Sequence, residues 1–102
     1  MQDFILAQRD QIAELCRKHH VLRLSIFGSA ARDDFNPATS DVDVIVDFDK
    51  MPIEIYARNK RAFYDSLTSL LDRRVDLLTW ASVRTPYLIR EIQQSNELLY
   101  AA

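Results

Sequence analysis

The chain has 102 residues, 48% of them hydrophobic and 27% charged, with a formal net charge of −2. That length supports one domain with one core, and the near-neutral balance gives no electrostatic argument for nucleic acid or an anionic membrane. No apolar run approaches the roughly 20 residues of a membrane span, the N-terminus shows no signal-peptide pattern, and the lone Cys16 excludes an intrachain disulfide, so a cytoplasmic setting is the expectation.

Residues 2–19 predict an amphipathic helix. Ile5, Ile12, Leu15, Cys16 and His19 fall near the helical period, and Arg9, Asp10, Glu14 and Arg17 lie on other faces. Cys16 in this pattern reads as a small buried hydrophobe rather than a reactive thiol. With only His19 and His20 beside it, the chain lacks ligands for a Cys/His zinc site. The two histidines end the helix, where contact with its dipole explains them sufficiently.

"VLRLSIF" (21–27) alternates as a strand, with Leu22, Leu24 and Ile26 on one side and Val21, Arg23, Ser25 and Phe27 on the other. Gly28, the only glycine, ends it, and "SAARD" reads as the first turn of a short helix with Ser29 at its start. "DFNPATS" (34–40) is a loop marked by Asn36-Pro37. A second strand spans 42–48. Pro52 then opens a long helix over 53–71, with Ile55, Ala62, Phe63, Leu67, Leu70 and Leu71 on its apolar side. "RRVDLLTW" (73–80) is a third strand. The last helix starts near Pro86, with 97–100 as a candidate extended segment. The expected fold class is α/β (α+β), one domain over 1–102. Its small mixed sheet of three to four strands is flanked by helices.

Chemistry concentrates at two stretches. A glycine between strand and helix permits positive φ and close backbone approach. The N–H groups of a following helix suit phosphate. Alone, Gly28-Ser29 reads first as a tight turn with an N-cap serine, and it matches neither common phosphate-loop fingerprint. Asp41 and Asp43 are two apart on a strand, so their carboxylates share a face. Side by side they repel, and a divalent cation reverses that cost. Magnesium takes such oxygen ligands, commonly one or two carboxylates plus substrate phosphates. The opposite face carries Val42, Val44, Val46 and Phe48, which suit a core, and a one-residue slip would exchange the faces. Asp47 and Asp49 read as solvated. For Asp41 and Asp43, solvation and metal binding stand level until Asp76 is added from the third strand. If that strand pairs beside 42–48, three acids face one cleft and meet the needs of two-metal phosphoryl or nucleotidyl transfer. Arg32, one turn beyond Gly28, can reach a phosphate. Arg58, Lys60, Arg61, Arg73 and Arg74 read as solvated.

The segment "LSIFGSAARDDFNPATSDVDVIVDF" resembles the signature of the polymerase-β-type nucleotidyltransferase superfamily: Gly-Ser, a spacer, then Asp-x-Asp. More closely, nearly the whole chain is similar to minimal nucleotidyltransferases, including the MNT-type antitoxins paired with HEPN-domain toxins. The resemblance implies that Asp41 and Asp43 hold magnesium and that Asp76 completes the metal site and assists the acceptor hydroxyl. It implies that Gly28 and Ser29 hold the nucleotide phosphates. It also implies a partner, a HEPN-type ribonuclease toxin whose tyrosine hydroxyls receive AMP from ATP. A chain with no separate acceptor domain fits an acceptor delivered by a partner protein. One departure is visible. The spacer from Ser29 to Asp41 is 11 residues, with "NPATSD" one longer than the pattern and no acid before Ser40. A loop absorbs one residue at little entropic cost. Two rivals carry different expectations: a non-catalytic antitoxin acting by contact, and a subunit that nucleotidylates a small molecule in a pocket completed by another chain. No membrane and no direct nucleic-acid binding are expected.

Overall fold

The computed structural model describes residues 1–32 and 34–102. Its elements are α1 (Asp3–Leu6), α2 (Arg9–Lys18), β1 (Val21–Phe27), β2 (Val42–Phe48), α3 (Ile53–Leu71), β3 (Val75–Leu78), α4 (Pro86–Ser95) and β4 (Glu97–Ala101). The strands form one mixed sheet in the order β3-β2-β1-β4. β1 is antiparallel to β2 and to β4, while β2 and β3 are parallel and joined through α3. The expected α/β architecture stands, with four strands, the upper of the expected three to four. The C-terminal extended segment is the fourth, an edge strand on β1. Among the described residues no helix is long and apolar enough to cross a membrane.

The alternation of β2 divides the molecule. Val42, Val44 and Val46 are fully or almost fully buried with Ile12, Cys16, Phe63 and Leu67, under α2 and α3. On the other face a smaller cluster joins Phe27 and Ile45 to Val83 and Ile92, so α4 covers only the middle of that face. Burial pushes the Cys16 thiol up to about 12, which fits an inert core residue.

Local departures from the expected elements have physical reasons. The first helix breaks at Ala7–Gln8 into α1 and α2. A bulge in β1 sets Val21 opposite Phe48 and Arg23 opposite Asp47, leaving Leu22 unmatched and 44% exposed rather than on the core side. In α3 the buried seam is Phe63, Leu67 and Leu71, recurring every four residues. Ile55 and Ala62 are exposed; at about 100° per residue both lie roughly a quarter-turn from Phe63. His19 is buried, and its Nδ1–H donates to the Leu15 carbonyl at 2.8 Å. The residue after it, His20, takes a left-handed φ of 59° that ends the helix. Asp72 ends α3 the same way at φ 51°.

Candidate active site

β2 carries the first two acids into position. Asp41 stands just before the strand and is exposed; Asp43 lies within it and is half-buried. Across the parallel pair Asp43 is the register partner of Asp76, and across the antiparallel pair it is the partner of Phe27. Asp43 therefore sits between Asp76 on one neighbouring strand and the end of β1 on the other. The chain turns at Gly28 with φ +68°, where a β-carbon would lie 2.6 Å from Asp43 Oδ2. The glycine is thus required twice, by its backbone angle and by the carboxylate packed against it.

Burial, then the charges of Asp76, Asp41 and Glu91, push the Asp43 carboxyl up to about 6, with Arg32 opposing. Desolvation of the carboxylate is the main cause, and like charges crowded on the same face add to it. Among the described residues no three acids are drawn tightly enough to enclose an ion. The donor set is an open arrangement of carboxylate oxygens, the hard ligands that magnesium takes alongside substrate phosphates. The residues fit such an ion in chemistry and in register.

The phosphate side differs from expectation. Gly28–Ala30 is a single 3-10 turn rather than the start of an α-helix, and Asp33, the last residue of the expected short helix, lies outside the described residues. The Gly28 N–H donates to Ser95 Oγ at 3.1 Å, and the N–H groups of Ala31 and Arg32 donate to the carbonyls of Gly28 and Ser29. A helix dipole therefore contributes little here. The half-buried Ser29 keeps its hydroxyl free of protein partners among the described residues. Arg32 donates to Glu91 Oε1 at 2.6 Å and to both carboxylate oxygens of Asp34.

Three residues of this site escape a reading of the sequence by motif. Glu91 and Ser95 are four apart on α4, and Ser95 Oγ–H donates in turn to the Glu91 carbonyl at 2.8 Å. Nothing local says that this face of α4 meets Gly28. Arg73, expected to be solvated, packs its guanidinium 4.3 Å from the Phe4 ring centre and 5.4 Å from that of Phe35. It also donates to the Pro37 carbonyl at 3.0 Å. These contacts tie down the loop that delivers Asp41. A hollow of about 360 Å³ opens between that loop and Arg73–Arg74, and Asp41 lines it. A larger one of about 500 Å³ runs between α3 and β3 and touches the acid set only at Asp76.

A glycine turn against a strand-borne Asp-x-Asp, with a third acid in register on the adjacent parallel strand, is the frame that the resemblance requires. The family model of the nucleotidyltransferase domain matches residues 9–99. The chain belongs to this family. A relative from Methanocaldococcus jannaschii, described as a candidate protein adenylyltransferase, is 36% identical over 87 residues, covering 85% of this chain and 83% of its own. A solved structure of a candidate minimal nucleotidyltransferase shares the fold at a TM-score of 0.73, with 24% identity over 94% of this chain and 95% of its own. A chain from the complex of a tri-AMPylated Shewanella oneidensis HEPN toxin with its MNT antitoxin superposes at a TM-score of 0.64, with 20% identity over 96% of this chain and 73% of its own. The minimal nucleotidyltransferase fold is therefore the architecture of this domain, and its enzyme class is nucleotidyl transfer.

Proposed function

We propose that this nucleotidyltransferase is a magnesium-dependent protein adenylyltransferase that moves AMP from ATP to tyrosine hydroxyls of a HEPN-type toxin, acting as its antitoxin in the cytoplasm. The observation that carries the proposal is the Asp43–Asp76 register beside Gly28. The family match and the adenylyltransferase relative support the chemistry, and the fold shared with an antitoxin bound to an AMPylated toxin supports the acceptor.

Asp41, Asp43 and Asp76 would hold two magnesium ions, which supply charge neutralisation for the triphosphate and activation of the attacking oxygen when bound. Ser29 offers its hydroxyl to a phosphate oxygen, and Gly28 keeps the backbone low enough for phosphate to approach Asp43. Arg32 adds a fixed positive charge. Asp76, on the exposed edge strand, takes the proton of the acceptor hydroxyl. The hydroxyl oxygen bonds to the α-phosphorus, the α–β anhydride bond breaks, and pyrophosphate leaves. Catalysis by such a site is mostly electrostatic and positional.

The test incubates the protein with magnesium, ATP labelled at the α-phosphate, and the product of the neighbouring gene. Label should appear on that protein, on tyrosine, and vanish with the Asp41→Asn/Asp43→Asn variant. No label, or equal labelling by the variant, would sink the proposal. Neutralisation that survives the double change would assign the antitoxin effect to contact alone.

A further inference from the structure

Arg32 is unusually constrained for an exposed cation. Its Nε and Nη2 donate to the two carboxylate oxygens of Asp34 at 3.2 and 3.4 Å, and its Nη1 donates to Glu91 Oε1 at 2.6 Å. Its backbone carbonyl accepts from Gln2 Nε2 at 2.9 Å. The guanidinium has five N–H groups. Among the described residues three are occupied by acids, and one remains on each terminal nitrogen. A phosphate can take N–H groups of both terminal nitrogens. The side chain is thus gripped by a loop residue and by a helix residue far away in sequence, with its free donors left over.

Glu91 stands at the junction of two parts of the site. It holds Arg32, its carbonyl anchors the Ser95 hydroxyl, and that hydroxyl accepts the Gly28 N–H. It also lies within electrostatic range of Asp43, as does Arg32. One turn of α4 therefore connects the glycine turn, the arginine and the acid face.

We infer that Glu91 is a positioning residue for nucleotide binding: with Asp34 it fixes Arg32 so that its two free N–H groups meet the triphosphate. The inference rests on the nucleotidyltransferase reading of the site. It makes a prediction opposite to simple charge counting. Removing an acid beside an anion site should strengthen anion binding by Coulomb's law. Releasing a long side chain with much rotamer freedom weakens binding, because that freedom must then be lost on contact.

The experiment measures binding of inorganic tripolyphosphate and of ATP to the wild-type protein, Glu91→Gln, Arg32→Ala and the double variant. Glutamine is isosteric, and a thermal melt run beside each titration verifies folding. Glu91→Gln should weaken both ligands by about 5- to 20-fold, around one of the tenfold steps that each 1.4 kcal/mol represents. It should raise the KM for ATP while leaving kcat within about twofold. In the Arg32→Ala background the same change should have no further effect. Glu91→Asp should restore part of the loss, which a purely structural role would not require. Unchanged or tighter binding by Glu91→Gln overturns the inference, as does an undiminished effect without Arg32. A wild-type protein that binds tripolyphosphate through this clamp yet labels no protein leaves the inference standing and removes the adenylyltransferase proposal instead.

Discussion

The two faces of β2 are made by the same seven residues and do opposite work. One face, Val42, Val44 and Val46, is almost wholly removed from water beneath α2 and α3. The other carries Asp43, Ile45 and Asp47, of which only Ile45 is buried under α4. Burying apolar area stabilises the fold by about 25 cal/mol per Å². Placing carboxylates near one another on a half-covered face does the reverse, and the rise in the Asp43 pKa reports that strain. One strand thus couples a face that secures the register to a face whose charges that register holds together. Slipping it by one residue would lose both at once.

Changes on either face should separate the two roles. On the acid face, Asp41→Asn/Asp43→Asn should lower adenylyl transfer by at least about 10³-fold, the scale of losing charge-stabilising groups at a phosphoryl centre. A melting curve should show the variant folded. On the packed face, Phe63→Ala should destabilise the domain by about 3–5 kcal/mol in denaturant titration. Phe63 is fully buried and touches both the His19 ring and the Phe48 ring, at 5.7 and 5.8 Å between centres. At temperatures where that variant stays folded, its activity per folded molecule should remain near wild type. A large kcat loss in folded Phe63→Ala would mean that the faces are not separable.

Gly28 lies where the two roles meet. Gly28→Ala puts a methyl 2.6 Å from Asp43 Oδ2, at a φ of +68°. The left-handed angle should cost about 1–2 kcal/mol of stability. The carboxylate must also rotate away, and displacements of this order at a reacting centre cost about 10²-fold in rate. Activity should therefore fall further than stability. Equal losses would reduce Gly28 to a turn former.

How much of this was legible depends on whether the cause is local. The Asp/Val alternation of β2 and the single glycine carry their meaning in adjacent residues, and both led to the structure found. The pairing of Asp76 with Asp43 is conditional at the level of sequence, because it needs β3 to lie parallel to β2, which nothing within either strand encodes. Leu22 leaves its expected side because a bulge in β1 breaks the alternation. The helix expected after Gly28 proved to be one 3-10 turn, and Ser95 on α4 takes the Gly28 N–H. Glu91, Ser95 and Arg73 were invisible as site residues because each acts through a contact distant in sequence. Motif and periodicity see what one element does, whereas these residues depend on how elements meet.

The smallest expected effect is a pH dependence that belongs to the acid face alone. The Asp43 pKa rises from an ordinary 3.8 to about 6 in the folded protein. Between those values the folded state keeps a proton that the unfolded state has released. The unfolded chain then binds fewer protons, so stability falls as pH rises across this window and levels off above about 6. The full shift would amount to roughly 3 kcal/mol, but Asp43 is only half-buried, and solvent screening reduces the expected loss to about 1–2 kcal/mol. Urea titrations from pH 4 to 7 without divalent cations should show this decline. Asp43→Asn should flatten it and be the more stable protein at pH 7, while changes at Val42, Val44 and Val46, which carry no charge, leave it untouched. A wild-type profile that rises through the window would mean that Asp43 is stabilised by its surroundings, and the contrast between the two faces would lose its energetic basis.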